Sequence, residues 1–257
     1  MTVNQITQSI EQIAPLTYAE GFDNVGLLVG RYDQEVSKVL VSLDCLESVV
    51  DEAIEIGAEL IVCFHPIVFK GLKKFNGSNY VERVVIKAIQ NNIAIYAMHT
   101  ALDNSKVGVN KRICDQLGLS NTEILIPKSD ILYQLSFRVP QANSKEVLEA
   151  LFQAGAGSID PYSECAFETE GQGSFKALEG ADPHIGSIGS RTLVAERQIQ
   201  VSVEAHVKSK VLKALHRAHP YEKVAYELLA LENSHPEVGM GMIGELPIAM
   251  DEKDFLV

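Results

Sequence analysis

Apolar residues in the first half of the chain follow two alternating spacings. Ile6, Ile10 and Ile13 recur at the spacing of a helix face. Short continuous apolar runs then predict buried strands, and longer segments of helical period separate them. The strands are predicted at 38–43, 59–64 and 93–97, and the helices at 46–56, 80–91 and 109–117. Such alternation favours β-α-β units and a parallel sheet covered on both faces.

Polar side chains follow each of these predicted strands. Asp44 follows the first, His65 the second, and His99 and Asp103 the third. In an open parallel sheet these positions share one edge, at the carboxyl ends of the strands, where such folds bind ligands. Imidazole and carboxylate together suit a divalent metal ion, which lowers the pKa of bound water. His65, next to Pro66, could instead be a structural turn residue, and a lone histidine is more often structural than a metal ligand. The pattern alone therefore leaves both interpretations open.

The second half of the chain has a different order of elements. Strands are predicted at 131–139, 164–169, 192–205 and 226–231, helices at 144–154 and 208–218, and a loop or irregular hairpin in the Gly- and Ser-rich segment 171–190. The order β-α-β-β-α-β is that of a ferredoxin-like unit. We therefore predict three segments: 1–130, an inserted domain at 131–234, and a return to the first domain at 235–257.

The last residues predict a strand at 240–250 and then the beginning of a helix at Asp251. A helix of a single turn is unstable by itself. We therefore expect the biological chain to continue beyond Val257.

Composition narrows the protein class. The 257 residues carry a formal charge of −12, which argues against binding nucleic acid or an anionic membrane through bulk charge. Four cysteines without a C-x-x-C pair predict reduced thiols in a cytoplasmic protein. We expect neither a signal peptide nor a membrane span, since no apolar run approaches ~18 residues. His216 and His219 are three residues apart and predict a solvated helix end.

Four segments in order resemble one known family. AEGFDNVGLLVG, LIVCFHPIVFKG, AIYAMHTALDN and AHPYEKVAYELLAL resemble the GTP cyclohydrolase 1 type 2 homologue family, also called the Nif-three-like dinuclear metal family. The resemblance implies an α/β metal-binding domain with an inserted ferredoxin-like domain similar to PII and CutA proteins. It also implies a toroidal homohexamer, a trimer of dimers, with two divalent metal ions per subunit, of zinc, iron or manganese.

Matching positions imply roles for particular residues. His65 matches the second histidine of the family's H-H-P stretch, and Asp103 lies in its H-T-x-L-D stretch, so both are implied metal ligands. His99 is implied as a ligand or as a group that supports one. Asp23 and Asn24 match the D-N-V-G stretch, in which Asp23 would orient a ligand. Phe64 replaces the first histidine of H-H-P, and the family's remaining ligands, a His and a Glu, are expected beyond Val257.

Three functions stay open at this stage. The first is a metal-dependent hydrolase acting on a purine nucleotide such as GTP, with Lys70, Lys73 and Lys74 as candidates for binding its phosphates. The second is a non-enzymatic metal-binding assembly or regulatory protein that senses a ligand through its PII-like insert. The third is a scaffold that has lost part of its metal site.

Overall fold

The computed structural model describes residues 1–159 and 161–256 of the chain. These residues form two compact units. Unit 1 comprises residues 1–128 together with the segment that begins at Pro236, and unit 2 comprises residues 129–235. The sequence pattern places its two boundaries near Ser129 and Ser234. Val257, to which the expectation of a longer chain refers, lies outside the described residues.

Unit 1 is built on a four-stranded sheet with the order β1-β4-β3-β2. Its strands are β1 (Gly26–Val29), β2 (Val39–Ser42), β3 (Leu60–Cys63) and β4 (Ala94–Ala97). β2, β3 and β4 are parallel, as the pattern predicts, and β1 adds to β4 in the antiparallel direction. β3 and β4 are buried along their whole length, but β2 is an edge strand whose Val41 is 76% exposed. The expectation that every strand is covered on both faces is therefore wrong for β2.

Residues 1–128 also contain α-helices, of which the first three pack against the sheet through buried apolar residues. The helices are α1 (Val3–Glu11), α2 (Glu47–Ile56), α3 (Tyr80–Gln90), α4 (His99–Asp103) and α5 (Val109–Gln116). α1 begins with a capping box between Thr2 and Gln5 and ends before Ile13, which is exposed rather than part of the predicted helical face. α2 ends at Gly57 in the left-handed conformation that a glycine C-cap favours.

The register of the parallel strands positions the candidate site. Leu60 pairs with Ala94 and Cys63 pairs with Ala97, so β3 and β4 end level with each other. Two residues beyond each end the chain reaches His65 and His99. A parallel sheet with level ends thus places the two histidines side by side, although 34 positions of sequence separate them.

Three elements of unit 1 were not predicted as they occur. α4 carries both His99 and Asp103, for which the pattern predicted only a position after the third strand. β5 (Ser120–Lys128) was missed, and it forms a two-stranded sheet with β10 (His235–Glu245), which begins earlier than the predicted return strand at 240–250. A single turn, α8 (Glu252–Phe255), follows Asp251.

Unit 2 has the predicted β-α-β-β-α-β order. Its elements are β6 (Leu132–Pro140), α6 (Ser144–Gln153), β7 (Ala166–Lys176), β8 (Arg191–Glu204), α7 (Lys208–Ala218) and β9 (Tyr226–Ala230). The sheet order β7-β8-β6-β9 with antiparallel pairs is ferredoxin-like. Alternate residues of β6 and β8, including Phe137 and Ile199, are buried with the helices. Of the two forms predicted for the segment 171–190, a loop or an irregular hairpin, the structure shows a hairpin: β7 continues to Lys176 in register with β8, and residues 177–190 connect the two strands.

None of the helices that the structure describes is long and apolar enough to cross a membrane. All four cysteines are free thiols, and Cys45, Cys63 and Cys114 are buried.

Candidate metal centre

His65 is held against Asp44 at the ends of β2 and β3. Its backbone N–H donates to the Leu43 carbonyl at 3.0 Å, which extends the parallel pairing beyond the strands. Its ring Nδ1 lies 2.7 Å from Asp44 Oδ1. The ring is about half exposed. Because Nδ1 is engaged with the carboxylate, Nε2 is the nitrogen that His65 presents to a ligand.

His99 is held in the same way by a different carboxylate. Its backbone N–H donates to the Phe64 carbonyl at 2.9 Å, and its Nδ1 lies 2.8 Å from Asp23 Oδ1. His99 has a positive φ of 29°, a conformation that costs free energy for a residue with a Cβ. The surrounding hydrogen bonds maintain this strain, and strained residues cluster at functional sites.

Asp23 is a fully buried carboxylate that fixes His99. It also accepts hydrogen bonds from the backbone N–H and hydroxyl of Thr100 and from the Asn24 N–H. Burial by itself raises the pKa of Asp23, but the hydrogen bonds from Thr100, His99 and Asn24 lower it further than burial raises it. Asp23 is therefore an anion that orients the imidazole, which is the role its motif implied.

Asp103 ends α4, one turn after His99. Burial raises its pKa above the ordinary value, His99 and His65 lower it, and Asp23 raises it. The charges that act on Asp103 are therefore those of the other candidate residues. The His65 and His99 ring centroids are 5.6 Å apart. The charges of both histidines act on Asp103, so the three side chains belong to the same sheet edge.

Phe64 occupies the space next to both imidazoles. Its ring centroid is 4.9 Å from that of His65 and 5.5 Å from that of His99, edge-on in both cases. Phe69 lies against His99 from a further position, at 6.4 Å. A phenyl ring has no lone pair for a metal, so the position that could carry another imidazole contributes only an apolar wall.

The donor types in this cluster fit a divalent metal ion. Each imidazole has one nitrogen bonded to a carboxylate, which fixes the ring and its tautomer in the way common for metal-binding histidines. In residues 1–159 and 161–256, however, no three His, Cys, Asp or Glu side chains already lie close enough together to hold one ion. The cluster thus provides oriented ligands but not a closed coordination shell.

Asp44 is the site residue whose role the sequence did not reveal. The pattern placed it at the correct sheet edge, but no motif marked it as the partner of His65. The signal that could have identified it is the parallel register, because Asp44 follows β2 at the level at which His65 follows β3.

The remaining candidate residues, three lysines and His219, are not part of this cluster. Lys70, Lys73 and Lys74 are exposed in the segment between β3 and α3. His219 is buried rather than solvated, and burial lowers its pKa. Its Nε2 donates to the Arg138 carbonyl at 2.8 Å, so this histidine of the AHPYE segment makes a structural contact within unit 2.

Three comparisons place the chain among known proteins. A family model described as Duf34/NIF3 (NGG1p interacting factor 3) matches residues 1–257. The chain is 42% identical over 252 residues to a Bacillus subtilis protein named GTP cyclohydrolase 1 type 2 homolog, covering 98% of this chain and 68% of the relative.

Two solved structures are similar over almost the whole chain. A Bacillus cereus protein related to NIF3 has a TM-score of 0.82 at 38% identity, covering 99% of this chain and 68% of that one. A Staphylococcus aureus protein has a TM-score of 0.68 at 30% identity, with 99% and 66% covered. The chain therefore spans about two thirds of the length of these relatives.

Proposed function

This chain belongs to the Duf34/NIF3 family, and from that premise we propose that it is a divalent-metal-binding protein that acts as a metal-dependent hydrolase on a purine nucleotide. The observation that carries the proposal is the pair of imidazole–carboxylate contacts, His65 with Asp44 and His99 with Asp23, at one edge of the sheet. Two histidines that are oriented in the same manner and lie close together favour the binding of one metal ion by both imidazoles.

In this proposal His65, His99 and Asp103 are the metal ligands. They must move closer together to hold one ion, because in residues 1–159 and 161–256 no three such side chains already lie close enough. Two imidazoles and one carboxylate suit zinc, iron or manganese, of which up to two bind per subunit. A bound ion would act as a Lewis acid and lower the pKa of a bound water toward neutral pH. Asp44 and Asp23 keep the ring nitrogens directed at the ion. Burial disfavours the ionised form of Asp103 and raises its pKa. A bound cation would stabilise that ionised form.

The substrate class rests on the relatives' name and on the lysines near the site. The Bacillus subtilis relative is named for GTP cyclohydrolase, so GTP is the first substrate to test. Lys70, Lys73 and Lys74 follow His65 by five to nine positions and are exposed, as groups that bind phosphates must be. We propose that they bind the triphosphate.

Metal content measured by mass spectrometry tests the proposal. Protein purified without chelator should retain metal, and His65→Ala or Asp103→Ala should reduce its content at least tenfold. His184→Ala is the control, because this histidine belongs to unit 2, whereas the cluster is built from residues of unit 1. Unchanged metal content in both variants would mean that His65 and Asp103 do not bind the metal, and the proposed metal centre would be wrong.

Turnover is tested separately by formate release from GTP. The hydrolase proposal expects release that depends on metal and is lost in Lys73→Ala/Lys74→Ala. Metal binding without release would favour the alternative, a metal-binding assembly or regulatory protein. For either function we propose that the protein is a homohexamer and lies in the cytoplasm. Light scattering after gel filtration tests the oligomeric state.

A further inference from the structure

Unit 2 contains a cavity of about 560 Å³ on the face of its sheet opposite the helices. Arg138 of β6 and Glu196 and Gln198 of β8 form its floor. Its walls are formed by residues 171–175 of β7, the segment 181–184, the segment 221–223 and Ala225. All of these residues belong to unit 2. The volume lies in the range of small-molecule binding sites, about 300–1,000 Å³.

Aromatic side chains line one side of this cavity. The Tyr221 ring has its centroid 6.1 Å from that of Phe175 and 6.3 Å from that of His184. Tyr221 also contacts the buried ring of His219 at 5.1 Å, and its N–H donates to His219 Nδ1, so its position is fixed from behind. A wall of aromatic faces and edges favours a ligand with an apolar stem or a cationic head.

A carboxylate is held in place beside these rings. Glu196 Oε1 accepts the Tyr221 hydroxyl at 2.8 Å. The Glu196 side chain lies across Gly173, where an added Cβ would be 2.0 Å from Oε2. The carboxylate therefore occupies space that only a glycine in the neighbouring strand leaves free, and this preorganises it before any ligand arrives.

The charges around the cavity are predominantly negative. Asp182, Glu196 and Glu222 line it, against Arg138 and Lys223. The Arg138 guanidinium is paired with Glu227, which lies outside the lining, so its charge is already neutralised. Among the described residues of the lining, three carboxylates then face the ammonium group of Lys223. Such a field attracts a cation and opposes the phosphates of a nucleotide.

We propose that this cavity binds a small organic cation, an amine or guanidinium group on an apolar or aromatic stem, with the cation against Glu196 and the stem against Tyr221 and Phe175. The site is independent of the metal centre, since it uses only residues of unit 2. A cation between a carboxylate and aromatic rings gains from both the ion pair and the attraction to the π faces.

Titration with three matched probes tests the charge requirement. Phenethylamine, 2-phenylethanol and phenylacetate share a ring and differ in charge. We expect phenethylamine to shift the amide signals of residues 171–175 and Tyr221 in NMR spectra and to bind at least tenfold more tightly than the alcohol. We expect phenylacetate not to bind. Equal binding of the amine and the alcohol would overturn the proposal, as would the absence of any shift with phenethylamine.

Substitutions on the chain test the assigned residues. Glu196→Gln keeps the shape of the side chain and removes its charge, and we expect it to weaken phenethylamine binding about tenfold. Gly173→Ala should weaken it as well, because the methyl group displaces Glu196 without altering any charge. Glu170→Gln is the control, since its side chain is 68% exposed, pairs with Arg197 and does not line the cavity.

The folded state of each variant is checked by its circular dichroism spectrum and melting temperature. If Glu196→Gln is folded and binds phenethylamine as tightly as the unsubstituted chain, the proposal is wrong. GMP is included as a fourth probe. Binding of GMP with no binding of phenethylamine would overturn the proposal in favour of a nucleotide site.

Discussion

Replacing Asp23 with asparagine tests the central element of the candidate centre. Each Asp23 oxygen accepts two hydrogen bonds: Oδ1 from His99 Nδ1 and the Asn24 N–H, and Oδ2 from the Thr100 N–H and hydroxyl. An asparagine amide places an NH₂ group at one of these positions. The imidazole can change its tautomer and the hydroxyl can rotate, but a backbone N–H cannot become an acceptor. Whichever way the amide lies, one backbone donor loses its partner.

The magnitude follows from that count. One buried donor without a partner costs about 1–3 kcal/mol, and the remaining hydrogen bonds lose the strengthening that an ionised acceptor gives them. We therefore expect Asp23→Asn to lower the free energy of unfolding of unit 1 by about 2–4 kcal/mol at pH 7. Because the pKa of Asp23 is lowered in the folded state, its contribution is present above the unfolded value of about 3.9. The difference between the two proteins should shrink as the pH falls through the lowered value.

Urea unfolding followed by circular dichroism measures this difference, since the chain has no tryptophan to report by fluorescence. Hydrogen exchange of a peptide covering 94–103 assigns the loss to unit 1. Asp33→Asn is the matched control, because Asp33 is 78% exposed and pairs only with Arg31 among the described residues. A loss below about 1 kcal/mol in Asp23→Asn, equal to that of the control, would refute the reasoning that Asp23 supports the site.

Four further predictions concern individual residues. Gly30→Ala should cost about 2–4 kcal/mol in urea unfolding, because φ is 102° and the new Cβ would be 2.7 Å from that of Ala94. Gly57→Ala, at φ 69° with nothing within 4 Å, should cost only about 1 kcal/mol. Glu204→Gln should lower the free energy of unfolding of unit 2 above about pH 5, because hydrogen bonds from two histidines lower the pKa of Glu204. This loss of stability should disappear as the pH falls through the lowered value, and a loss that does not depend on pH would contradict the prediction. Phe64→His should raise metal content in mass spectrometry, and an unchanged content would show that the position does not face the metal.

Hydrophobic spacing alone located most of the elements. Helix and strand periods placed β3, β4, α2 and α3 to within about two residues, because long amphipathic and fully apolar segments carry strong local signals. β5 was missed, since its pairing with β10 joins segments more than a hundred residues apart. The end of β7 at Lys176 is not predicted from the sequence, because glycines disfavour strands locally and leave a loop and an irregular hairpin as alternatives from 171. Gly173 is required in the strand by the Glu196 side chain that crosses it.

The candidate centre was only partly visible in the sequence. The rule that ligands bind at the carboxyl ends of parallel strands brought His65, His99 and Asp103 to one edge. The Nδ1 contacts to Asp44 and Asp23 depend on register and on the position of a loop, and no spacing in the chain encodes them. The positive φ of His99 is likewise a tertiary effect, since histidine has no intrinsic preference that would produce it.

The two imidazole–carboxylate pairs close loops of very different size. His65 and Asp44 are 21 positions apart and meet within a single β-α-β unit, whereas His99 and Asp23 are 76 positions apart. Closing the longer loop costs about 1 kcal/mol more in chain entropy, and it requires that β1 and β4 have come together. During folding the His65 half of the centre can therefore form early and the His99 half only when the sheet is nearly complete. An ion that needs both halves would bind the finished sheet and not the nascent chain, and its binding energy would be added to the stability of the native topology.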